Sequence, residues 1–420
     1  MLILSFIFSE IKIDKNKGGS VMSSDLQANQ FYTVSRLNIV LGIIVLLVGI
    51  GWSYWLAVQY EQYVFGFIAV IGGLFGIVLQ RSRFCFYCIL TDFFERRDAR
   101  GIAGLFIALL VGTLGYHAVF GAFLPHLDGQ QLPPDAHIGA VSGVLVIGAI
   151  SFGLGMAFAG SCISAQLYRI GEGLITAPIA LLGVLIGFGL GFLTWNQLYL
   201  GFMQEAKPLW LPNMVGYAGS LLIQIFLIAT VLVISLYFIH RQRNNSNSTY
   251  QNESIVYSIF QQRWPTWVGG VLIGLIATIA YFRVGALGVT AELGSISRTL
   301  LSDFSDISRL EGLDRLTGCM TVVKETILSN NGVFVLSLIV GSFASALLAG
   351  QFKIQTQNLK GIFRIFFGGV LMGWGAMVSL GCTVGVFLSG IMAGAVSGWI
   401  FAIFCVFGAW LGWKIRQTSA

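Results

Sequence analysis

The reactive side chains of this 420-residue chain sit in three segments. Residues 153–164 read GLGMAFAGSCIS and residues 373–384 read GWGAMVSLGCTV. Each is a glycine-spaced apolar run ending in a cysteine, and Cys162 and Cys382 lie 220 positions apart. A third segment, Arg81-Ser82-Arg83-Phe84-Cys85-Phe86-Tyr87-Cys88, sets two thiols three residues apart. A thiol is a weak hydrogen-bond donor and a weak acceptor. It suits loose, reversible contact with a soft, polarizable atom. No metal is expected, because neither a histidine nor a second Cys-x-x-Cys accompanies Cys85 and Cys88. Redox pairing of those two is the competing chemistry.

The elements that position these thiols follow from composition. Hydrophobic residues make up 56% and charged residues 10%, too few charges to cover a water-facing surface. The mean hydropathy is +0.82. The chain therefore reads as an all-α polytopic membrane protein. A span needs about 20 apolar residues. Ten are expected, at 37–57, 63–80, 101–124, 139–160, 174–194, 216–239, 267–284, 332–349, 364–381 and 394–413. Fifty-three glycines suit close helix packing.

Only about ten residues separate each of Cys162 and Cys382 from the next span, too few to cross a bilayer. Each interval reads as a re-entrant half-helix, with its cysteine at the break. Free N–H groups at a helix N-terminus favour an anion. Gly153, Gly155, Gly160 and Ser161 lead up to the first break, and Gly373, Gly375 and Gly381 to the second. One offset aligns Gly148 with Gly368, Gly153 with Gly373, Gly155 with Gly375 and Cys162 with Cys382. A weaker correspondence joins 81–94 to 285–298, where the second copy has no cysteine.

Basic clusters at 95–100, 240–243, 353–364 and 414–416 mark the cytoplasmic side, and the loop at 125–138 has no Lys or Arg. Both termini are then cytoplasmic and the two repeats inverted in topology. Such repeats place a substrate site near the midplane, on interrupted helices. The expected organisation is an N-terminal tail (1–36), a first repeat with a preceding helix (37–215), a connector helix and cytoplasmic loop (216–263) and a second, inverted repeat (264–420). Lys17-Gly18-Gly19 ahead of Met22 looks like a translated ribosome-binding site, so residues 1–21 are expected not to be translated natively. Arg298, Arg309, Arg315 and Lys324 interrupt the charge pattern, and residues 298–330 are read as a folded surface helix. The net charge of +6 reflects topology rather than nucleic-acid binding. No nucleotide-binding loop GxxxxGK[ST] occurs.

With Arg-Phe-Cys followed by Asp92, and the paired Gly-x-Gly breaks ending in Gly-Ser-Cys and Leu-Gly-Cys, the chain resembles the YeeE/YedE (sulphur transport) family of bacterial membrane proteins. The resemblance covers roughly residues 63–413. It implies a compact fold of inverted repeats in the bacterial inner membrane and uptake of a small inorganic sulfur anion such as thiosulfate. It also implies a cysteine relay along a central path, carried over by position to Cys85, Cys162 and Cys382. Other relatives are associated with selenium, so the family name leaves the substrate open. Cys88 is an extra thiol outside the pattern. Arg83, Asp92 and Cys88 are supporting candidates, and Arg81, Arg169 and Arg283 are expected at interfacial depth. Asp92 and Glu172 are expected to pair with Arg96 or Arg169. Cys405 and Cys319 read as structural.

The expected partners are the anion, the lipid bilayer and a cytoplasmic sulfur-carrier protein. No enzymatic activity, cofactor or nucleic acid is expected. The competing readings are a membrane thiol-disulfide protein using Cys85 and Cys88, and a non-transporting scaffold of a sulfur- or selenium-handling system.

Overall fold

The structure is a computed structural model, and it describes residues 36–59, 63–124, 132–243, 262–302, 310–313, 321–324 and 329–418. The expectations for residues 1–21 and Cys319 lie outside these. Among the described residues there is no strand, and ten helices are long and apolar enough to cross a membrane. They coincide with the ten expected spans to within a few residues. The chain is a multi-pass membrane protein.

In chain order the elements are α1 (Arg36–Gln59), α2 (Tyr63–Ser82), α3 (Phe86–Arg96), α4 (Arg100–Phe123), α5 (Gly143–Ala159), α6 (Ile163–Gly171) and α7 (Thr176–Leu198). Then follow α8 (Leu211–Arg243), α9 (Thr266–Arg283), α10 (Thr290–Leu300), α11 (Asn330–Leu348), α12 (Leu359–Val378), a π-helical segment (Thr383–Gly390) and α13 (Val396–Thr418). Only 17% of the apolar window of α1 or α8 is buried, against 67% for α11, so α1 and α8 lie at the periphery. α8 bends at Gly216 (φ 73°), which lengthens the expected connector span backwards to Leu211.

The same order of long and short elements occurs twice, as α2–α7 and as α9–α13. The packing follows it. α2 packs on α11 as α9 packs on α4, α5 on α13 as α12 on α7, and α5 crosses α12. At that last crossing the aligned glycines meet. A methyl group on Gly155 would lie 2.6 Å from the Gly368 carbonyl oxygen, and one on Gly375 would lie 2.6 Å from that of Gly148. Apolar side chains give no hydrophobic drive between helices in lipid, so such backbone contact is what packs them.

Most of residues 298–330, including Arg309 and Arg315, lies outside the described residues, and so does the surface helix expected there; the described part is the end of α10, short turns and residues 321–324. Arg298 donates to the Thr321 carbonyl at 2.5 Å. Lys324 turns inward and pairs with Glu292, which is buried on α10. A buried carboxylate demands a partner, and this draws the segment inward.

Candidate functional site: thiols at helix breaks

Each expected break has a local cause. α5 ends at Gly160 in the left-handed region (φ 78°), and Cys162, in extended conformation, caps α6. α12 ends at Ser379. Leu380 (φ 58°) and Gly381 (φ 154°) reverse the chain, and Cys382 caps the eight-residue π-helical segment. Arg83 (φ 48°) makes the corresponding turn after α2, and Cys85 caps α3, its sulfur accepting from the Cys88 N–H at 3.4 Å. The second half repeats this with Val289 as cap and Thr290 as first residue of α10. α3 and α10 have eleven residues each. Offset by 204, Val289 matches Cys85 and Glu292 matches Cys88.

These N-termini converge. The Cys85 and Cys162 thiols lie next to each other. Cys162 faces the backbone N–H groups of Ala165 and Phe86, and its sulfur lies 3.3 Å from the Ser164 hydroxyl. Cys382 faces the N–H groups of Val384 and Gly385 and the hydroxyl of Thr290. Phe86 and Phe387 meet edge to face with centroids 4.9 Å apart. A cavity of about 10 Å³ lies between the two sets, lined by Cys162, Ser164, Thr383, Val384 and Phe387 among others. That is room for about one water. Cys85, Cys162 and Cys382 are all essentially inaccessible to solvent.

Beyond Cys85, the Cys88 sulfur is 2.9 Å away and accepts from Arg169 Nη2 at 3.2 Å. Both cysteines are free thiols. Arg81, Arg83 and Arg263 gather at the same end. Burial lowers the Arg263 guanidinium to about 10, so it stays charged at neutral pH. At the opposite end a pocket of about 240 Å³ reaches the start of α10, lined by Asp135, His137, Asn330, Asn331 and the loop 285–288. Burial pushes His137 down to about 4, leaving its ring neutral at physiological pH.

Some expectations shift. Arg169 touches the Cys88 thiol rather than standing apart at the interface. Glu172 accepts from Gln80 at 3.3 Å instead of pairing with Arg169, because buried Gln80 needs acceptors and holds Glu172 in place. Among the described residues Asp92 makes no ion pair; Arg96 and Arg83 act on it only at longer range, because its side chain is spaced beyond salt-bridge reach of both. Cys405 is buried on α13, in the helix interior rather than at a helix break. Sequence reasoning missed Thr290, Glu292 and Gln80. The 204-residue offset would have flagged the first two.

A family profile described as sulphur transport matches residues 81–411. The chain belongs to the sulphur transport (YeeE/YedE) family. It is 28% identical over 357 residues to a protein named thiosulfate transporter TsuA from Escherichia coli (strain K12), covering 81% of this chain and 91% of that one. It is 29% identical over 350 residues to the thiosulfate transporter TsuA of Spirochaeta thermophila, covering 81% and 96%. A shorter match, 32% over 83 residues, joins 20% of the chain to 21% of the probable transporter YedE of Escherichia coli.

Proposed function

We propose that this protein takes up thiosulfate across the bacterial inner membrane by passing the anion between thiols at helix breaks. The observation that carries the reading is that the short segments capped by Cys85, Cys162 and Cys382 begin around one narrow cavity, lined by Cys162 itself, by Phe86 next to Cys85 and by Thr383 next to Cys382. The names of the TsuA relatives support thiosulfate as the substrate.

An unpartnered dianion in hydrocarbon is prohibitively costly. Here each station offers backbone N–H groups, which meet the oxyanion end, and a cysteine sulfur, which meets the terminal sulfur. Thiol bonds are weak, so no station holds the ion for long. The two halves are read as inverted repeats, the short segments as re-entrant, and the arginine-bearing end as cytoplasmic, with both termini on that side. The path in this conformation is too tight for the anion. The π-helical segment after Cys382 supplies compliance, since π-helical turns are strained and recur at functional sites. Ser161, beside Cys162, has a buried hydroxyl with no partner and is a further donor for the anion.

Uptake of ³⁵S-thiosulfate by cells that lack other uptake routes tests the reading. Expression of this chain is expected to restore accumulation. Correctly inserted protein that restores none would refute it. The short Cys85–Cys88 separation favours a second reading, a thiol-disulfide protein. That reading requires a Cys85–Cys88 disulfide in protein isolated with its thiols trapped, read by mass spectrometry.

A further inference from the structure

We propose that Arg169 and Cys88 form a further anion station at the arginine-bearing end of the path, where the guanidinium holds the oxyanion end of thiosulfate and Cys88 its terminal sulfur. The proposal rests on the transport reading above and names a specificity-determining site within it.

Arg169 lies on α6, the helix capped by Cys162. Seven residues along a helix is about 10 Å, so one short helix carries a path thiol at its start and a cation near its end. The hydrogen bond that Arg169 makes goes to the Cys88 sulfur. Among the described residues it forms no ion pair. The carboxylate nearest in sequence, Glu172, is engaged by Gln80, which also bonds Gln351 at 2.9 Å and Ser345 at 2.8 Å. Ionisable groups within a membrane bundle pair with one another or mark an ion's route. Arg169 faces a thiol and, among the described residues, no carboxylate reaches salt-bridge distance of it, so an arriving anion would be its direct ion-pair partner.

The second half shows the alternative. The position matching Cys88 is Glu292, third residue of α10. Glu292 is met by Lys324 and accepts from the Ser329 hydroxyl at 2.8 Å, and Lys324 also donates to Ser329 at 2.8 Å. There the cation is neutralised by a resident carboxylate. In the first half a thiol stands in the carboxylate's place, and the cation is left for a passing ion.

The chemistry selects its ligand. A guanidinium presents a planar fork that matches paired oxygens, and a thiol suits a soft sulfur. Thiosulfate offers both ends, whereas sulfate lacks the soft one. Both Cys88 and Arg169 are partly exposed, so water can compete and the ion is not trapped. Arg83 and Arg263 add positive potential around the station.

The test uses inside-out vesicles bearing the full chain, with Cys88 alkylation by N-ethylmaleimide read by peptide mass spectrometry. Thiosulfate is expected to slow alkylation of Cys88 severalfold, and sulfate to slow it less. Arg169→Gln should lose this protection, Arg169→Lys should recover part of it, and Cys162→Ala should keep it. In uptake, Arg169→Gln is expected to lower the maximal rate about tenfold with little change in the half-saturating concentration. Alkylation of Cys88 in the unmutated protein that is indifferent to thiosulfate would overturn the proposal without any variant. So would wild-type uptake by folded Arg169→Gln. Wild-type uptake by Cys162→Ala would instead remove the relay reading, whatever Cys88 shows.

Discussion

The starts of α3 and α10 have the same backbone and different chemistry. Both follow a turn after a long helix, both run for eleven residues, and both aim their N-termini toward the central thiols. The first carries Cys85 as cap and Cys88 as third residue. The second carries Val289, Thr290 and Glu292. In the first half Arg169 donates a hydrogen bond to the Cys88 thiol. In the second the Glu292 carboxylate forms an ion pair with Lys324. The same succession of elements supplies helix breaks in both halves, and in the proposed reading the residues on them decide which break binds substrate and which braces the fold.

That contrast is broken most directly by removing the carboxylate of the ion pair. Glu292→Ala leaves Lys324 buried and uncompensated, and should cost about 3–5 kcal/mol, read as a lowered unfolding temperature in detergent. Arg169→Gln should cost much less. Equal losses for the two would show that both pairs are structural. The next effect concerns the crossing that both halves share. Gly155→Leu forces bulk against the Gly368 backbone and should destabilise by about 3 kcal/mol, with reduced yield of folded protein. If it is tolerated without loss, α5 and α12 are not in close contact. A smaller change is expected at Cys405, which is buried within α13 and caps no break. Cys405→Ala should lower stability by about 1 kcal/mol and leave thiosulfate uptake at the wild-type rate. The smallest is Val289→Cys, which gives the second half the cap of the first. Its effect on stability should be on the order of 0.5 kcal/mol, with uptake retained. Lost uptake in folded Val289→Cys would mean that the absence of a thiol at this cap is itself required.

The spans were legible because twenty-residue apolar runs with few charges have one stable home, the bilayer. The offset joining Cys162 to Cys382 was legible because glycines recur wherever backbones must touch, and the Gly148–Gly375 and Gly155–Gly368 approaches make that spacing necessary. The π-helical form of 383–390 was not legible. Its residues, TVGVFLSG, are nearly all apolar and all buried, so no polar stripe records the turn length. The pairing of Arg169 with Cys88 joins residues 81 apart, and that of Lys324 with Glu292 joins residues 32 apart through a loop. Charge patterns along the chain report which side of the membrane a loop faces. They do not report which side chain turns back into the bundle, as Lys324 does.

The central claim is that thiols at paired breaks carry the anion, and it is tested most directly in proteoliposomes loaded with the purified full chain. Initial uptake of ³⁵S-thiosulfate is measured for the wild type, Cys162→Ala, Cys382→Ala and the two corresponding Ser variants, each checked for folding by its unfolding temperature. Uptake is expected to fall nearly to background in both Ala variants, with stability lowered by about 1 kcal/mol. The Ser variants separate hydrogen bonding, which serine keeps, from soft sulfur contact, which it loses. Folded Cys162→Ala and Cys382→Ala proteins that transport at the wild-type rate would contradict the account and leave the glycine-cysteine breaks as packing features.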